Sequence, residues 1–94
     1  MMTQSNNHSP DEQTRSGESI EEAIVIQADN TMSGVSQEYQ WAEQHFGKRG
    51  VDWQLIKQAL LREEDRAYDM LHIRLAGGTE KKLYFDITNF FGIF

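Results

Sequence analysis

The first apolar run in the chain is "EEAIVIQA", Glu21 to Ala28. It is β-branched and apolar on both faces at its centre, the pattern of a strand with neighbours on either side. "ADNTMSG" then reads as a loop. Val35, Tyr39, Ala42 and Phe46 recur at intervals of four, three and four, which predicts a helix from Ser36 to Phe46 with those side chains on its buried stripe. Ser33 or Ser36 can cap its start. Gly47 can end it in a left-handed conformation, with Lys48 and Arg49 beside the negative end of the dipole.

The segment "DWQLIKQALLREED", Asp52 to Asp65, fits two patterns. Its Gln, Leu, Ala, Lys and Arg favour helix, whereas Trp53, Leu55, Ala59 and Leu61 share one face of a strand interrupted only by Lys57. The strand is preferred, because Glu63-Glu64-Asp65-Arg66 makes a polar turn into the next element. There Leu71, Ile73 and Leu75 alternate with Met70, His72 and Arg74. Leu83, Phe85 and Ile87 alternate in turn with Tyr84, Asp86 and Thr88 around "AGGTEK". This is a hairpin whose apolar sets must share a face. Registers that set His72 opposite Tyr84 or opposite Asp86 both satisfy that condition, and each leaves a loop of about three residues containing Gly78.

The chain finishes on "LYFDITNFFGIF". Thr88 and Asn89 can cap a short turn that carries Phe90 and Phe91 back over the sheet, and at least one of the two rings is expected in the core. Ile93 and Phe94 lie beyond Gly92, which leaves Phe94 as a candidate anchor presented outward.

In order these elements read β-α-β-β-β and predict an α+β fold: a small antiparallel sheet of three to four strands with one main helix on one face. Residues 20–94 form that single domain. Residues 1–19 carry no aliphatic side chain beyond Met1 and Met2 and are expected to be a disordered arm, unable to offset chain entropy by burial. At 94 residues the core is small and each large apolar side chain counts.

Charge narrows the function. Fifteen acidic and nine basic residues leave a formal charge of −6, which repels phosphate backbones and anionic membrane surfaces, so nucleic acid is disfavoured as a partner. No apolar stretch approaches the ~20 residues of a spanning helix. The start of the chain lacks the apolar region of a secretory signal, and there is no cysteine. Together these predict a cytoplasmic protein.

Candidate chemistry is sparse. On the outer face of the hairpin His72, Arg74, Tyr84 and Asp86 are expected to converge; a His beside a carboxylate can act as a general base, and Tyr or Arg can stabilise an anion. No nucleophilic Ser or Cys stands with them, and cross-strand charge pairs commonly finish a solvated surface. Trp41 falls away from the predicted helix stripe with His45 one turn below, marking either a wide buried stripe or a binding patch. His8, His45 and His72 lack metal-ligand spacing, so no metal or cofactor is expected. "GKRG", Gly47 to Gly50, follows a helix rather than leading into one, unlike a phosphate loop. No catalytic residue is assigned. The sequence therefore points to a non-catalytic interaction or regulatory module offering an acidic, aromatic-bearing surface to a protein partner, a basic one by complementarity. The alternative is a small ligand-binding protein or enzyme built on the hairpin face and completed by homodimerisation.

Overall fold

The computed structural model describes residues 15–92. The elements are β1 (Ile24–Val25), α1 (Thr31–Phe46), β2 (Trp53–Glu63), β3 (Arg66–Leu75) and β4 (Glu80–Asp86). They form a four-stranded sheet in the order β1-β4-β3-β2. The three long strands are antiparallel. β1 joins β4 in parallel and makes the sheet mixed. The fold is α+β in the expected order, with Asp52 to Asp65 contributing a strand.

α1 starts earlier than the apolar spacing implies. Asn30, not a serine, caps it: its Oδ1 accepts from the Ser33 N–H at 2.9 Å, replacing one of the bonds that a first turn lacks. Gly47, at φ 104°, ends the helix as expected, and its N–H donates to the Glu43 carbonyl. The centre of the buried stripe is Gly34, Glu38 and Ala42, with Tyr39, Trp41 and Phe46 packed along its flanks.

A β-bulge corrects the reading of β2. Leu55 pairs with Ile73 and Lys57 with His72, so Ile56 is the inserted residue. Because side chains alternate with a period of two, one extra residue exchanges the faces downstream. Trp53 and Leu55 point toward α1, whereas Ala59 and Leu61 lie on the opposite face, across from Met70 and Tyr68.

The β3–β4 register also differs from both expected ones. His72 faces Lys82, Arg74 faces Glu80 and Tyr68 faces Asp86. Leu75 donates its N–H to Thr79 and accepts from Gly78 N–H across Ala76-Gly77-Gly78, a three-residue loop in which Gly78 takes φ 99°. Face parity restricted the register to alternatives two residues apart, and the one observed sets Gly78 at the third loop position, where a three-residue hairpin loop needs a positive φ.

The tail closes the core through Phe90, which is 1% exposed, while Phe91 is 39% exposed with the Arg62 guanidinium 4.9 Å above its ring. Phe90 lies against Gly34, where any Cβ would overlap the ring. Asn89 Nδ2 donates to the Ile26 carbonyl and holds the tail beside β1. Phe94 lies outside the described residues. At the other end the folded part starts earlier than composition places it. Gly17, at φ 76°, accepts the Tyr84 N–H at 2.6 Å, and Glu18 pairs with Lys81. Residues 15–19 thus belong to the domain, through backbone bonds that a count of apolar residues does not register.

Candidate functional site

The covered face of the sheet holds an arrangement that the sequence reading missed. Glu38, at the middle of α1, is fully buried and sits over Asp69 of β3, itself 7% exposed. Among the described residues no donor satisfies either Glu38 oxygen. An ionised carboxylate there has nothing to replace water, and burial, followed by the Asp69 charge and a hydrogen bond to it, pushes Glu38 up to about 9. Near neutral pH Glu38 therefore keeps its proton. Burial raises Asp69 as well, though hydrogen bonds from Glu38 and Gln58 oppose the shift.

All donors converge on Asp69. Protonated Glu38 lies against it, and Gln58 Nε2 donates to Asp69 Oδ2 at 3.1 Å. The Tyr39 hydroxyl donates to Gln58 Oε1 at 3.0 Å. Tyr39 is also stacked on Trp53 and carries the Arg49 guanidinium 4.6 Å above its ring. The chain of bonds runs from the core to the β2 edge. Glu38 is sealed from solvent, so the pair can act on stability but has no reach to a solute. A signal for it did exist: Glu38 lies one turn from both Gly34 and Ala42, and Asp69 occupies an inward position between Ala67 and Leu71.

On the outer face, the residues proposed from the sequence separate into two groups. His72 Nε2 and the Arg74 guanidinium both bond the Glu80 carboxylate, at 2.8 and 3.2 Å. His72 then Arg74 hold Glu80 below the ordinary carboxylate range. Asp86 stands six residues along β4, about 20 Å away at strand spacing, and pairs with Arg66 at 2.6 Å. Burial alone would raise Asp86, but the Thr88 hydroxyl, Arg66 and the Thr88 N–H bond it and hold it low. Tyr84 lies between the groups, opposite Met70. The four do not converge: His72 meets Glu80, not Asp86.

Trp41 belongs to the flank of the helix stripe. Its ring meets Phe85 edge-on at 5.6 Å and stacks on His45 at 3.8 Å. His45 Nδ1 donates to the Trp41 carbonyl. The outer part of Trp41 walls a groove of about 610 Å³ between α1 and β1, lined also by Ile24, Val25, Gln37, Gln40 and Gln44. Beside it β1 is an edge strand with no neighbour on its outer side among the described residues. Ile26 donates to the Asp86 carbonyl, so Ile24 and Ile26 turn toward β4 and Val25 directs its N–H and C=O outward.

Among the described residues there is no cluster of three or more His, Asp or Glu side chains that could hold a metal ion, and no helix long and apolar enough to cross a membrane. No family profile, curated protein or solved structure matches this chain.

Proposed function

We propose that this chain is a non-catalytic, cytosolic protein-interaction or regulatory module whose partner is a basic protein offering an extended segment to the groove between α1 and β1. The observation that carries the reading is the groove itself, where Trp41 and three glutamines stand beside the outward N–H and C=O of Val25. An extended chain can add there as a strand, with glutamine amides bonding its backbone and the indole covering an apolar side chain. Residues 15–92 carry thirteen acidic against nine basic side chains, which favours a cationic partner and weakens capture as salt rises.

The test is affinity capture from native cytosol at low and moderate salt, using the full chain and a variant with Gln40→Lys and Gln44→Lys. Both positions are exposed, so the circular dichroism spectrum should be unchanged. Loss of the same captured protein with the variant and with salt supports the reading. Capture indifferent to both would overturn it.

A further inference from the structure

We infer that the free edge of β2 pairs with β2 of a second copy, antiparallel about a two-fold axis at Leu60, and so joins two four-stranded sheets into one. β2 is the outermost strand. Its first residue is covered, because Gly50 N–H donates to the Trp53 carbonyl and Arg49 bridges Trp53. Beyond the bulge at Ile56 no strand among the described residues lies outside the stretch Lys57 to Glu63.

The direction of the unpaired backbone groups follows from the ladder. Leu75 and Ala67 bond toward β4, so the alternate residues His72, Met70 and Tyr68 bond toward β2, where they face Lys57, Ala59 and Leu61. Gln58, Leu60 and Arg62 must then direct N–H and C=O outward. An edge with three such residues in a row is a template for another strand.

The seven residues are complementary to themselves. A two-fold axis perpendicular to the sheet keeps each side chain on its own face, so only residues of like facing can meet. Centred on Leu60, Lys57 of one copy faces Glu63 of the other, Ala59 faces Leu61, Gln58 faces Arg62, and the two Leu60 side chains meet. Each opposite-charge pair occurs twice. Gln58, Leu60 and Arg62 all fall at hydrogen-bonded positions of the new ladder. This register uses the whole stretch after the bulge and does not extend into it, whereas shifting the centre to Ala59 draws Ile56 and Leu55 into pairing on mismatched faces. Leu60 is 50% exposed, an apolar side chain at the point where the second copy would cover it. The same register carries the acidic Glu64 and Asp65 turn toward the edge that starts beside Lys48 and Arg49, a second match of opposite charge.

Sedimentation equilibrium of the full chain from low micromolar to near-millimolar concentration tests the inference, together with amide hydrogen exchange. The expected result is a reversible dimer in which the Gln58, Leu60 and Arg62 amides become protected as concentration rises. Leu60→Lys, on an exposed side chain, should weaken association about tenfold or more by setting two cations together, and Lys57→Glu should weaken it about as much. Lys57→Glu combined with Glu63→Lys should bring the dissociation constant back to within about threefold of the original, since the exchanged charges again meet their opposites. A monomer at every concentration overturns the inference. So does a dimer that leaves those three amides exchanging freely, or one that the charge reversal weakens without rescue by the double exchange.

Discussion

The two faces of the sheet handle charge in opposite ways. Under α1 two carboxyl groups are pressed together with no cation between them, and one keeps its proton. On the outer face Asp86 pairs with Arg66 and Glu80 with Arg74, and His72 also bonds Glu80. Burial decides between the two. Where water is excluded, protonation is the way to avoid an unsolvated charge; where water remains, a charge is kept and paired. The linkage to stability then has opposite signs. Glu38 has a folded pKa above its unfolded value of 4.5; its contribution is complete below that value and is lost as pH rises toward about 9. Asp86 lies below its usual 3.8; its contribution is present above that value and is lost as pH falls through the folded pKa.

The most severe way to break the contrast is to open the covered face. Phe90→Ala should lower the unfolding free energy by about 3–5 kcal/mol in urea titration, from lost transfer energy plus the cavity left over Gly34. That cavity lies one helical turn from Glu38. Water entering it should also flatten the dependence of stability on alkaline pH. Phe91→Ala, at the exposed neighbour, should do neither.

Glu38→Gln sharpens the comparison by removing only the proton. Between pH 5 and 8 the parent chain should lose stability at about 1 kcal/mol per pH unit, the linkage of a single proton retained on folding. The variant should be nearly level over that range and more stable than the parent at pH 8. Equal slopes in the two proteins would show that Glu38 ionises in the fold.

On the outer face the effects are smaller. Asp86→Asn should cost about 1–3 kcal/mol near neutral pH, because the amide cannot replace the charged bonds to Arg66 and Thr88. The variant should also lose the parent's decline in stability below pH 4. Least affected should be Glu80→Gln: its partners are solvated, so the thermal midpoint should shift no more than for ordinary surface substitutions.

The two faces also differ in how legible they are in the sequence. The alternation around Leu71, Ile73, Leu83 and Phe85 identifies the covered face, because burial there follows polarity. It fails at Glu38 and Asp69 for the same reason: a reading that takes charge to mean solvent assigns both to the surface, although their positions in the helix and strand periods place them inside. The order of elements and the end of α1 at Gly47 depend on local chemistry and are readable. The bulge at Ile56 is not, since an inserted residue leaves no compositional mark, and through it Ala59 and Leu61 change faces. The meeting of His72 with Glu80 rather than Asp86 follows from a register that face parity restricts to alternatives two residues apart. Trp41 lies at the flank of a stripe wider than the one drawn through Val35, Tyr39, Ala42 and Phe46.

The parallel seam between β1 and β4 has a consequence for how the chain folds as it is synthesised. Asn89 bonds Ile26 from 63 positions away, and Ile24 waits for Phe85. The β2–β3 hairpin has its partners close in sequence and can form as soon as both strands have left the ribosome. β1 and the start of α1 have no lasting partner until Phe90 has emerged. Until then the apolar run Ala23 to Ile26 stays without its seat, and closure is a long-range step of the kind that slows folding.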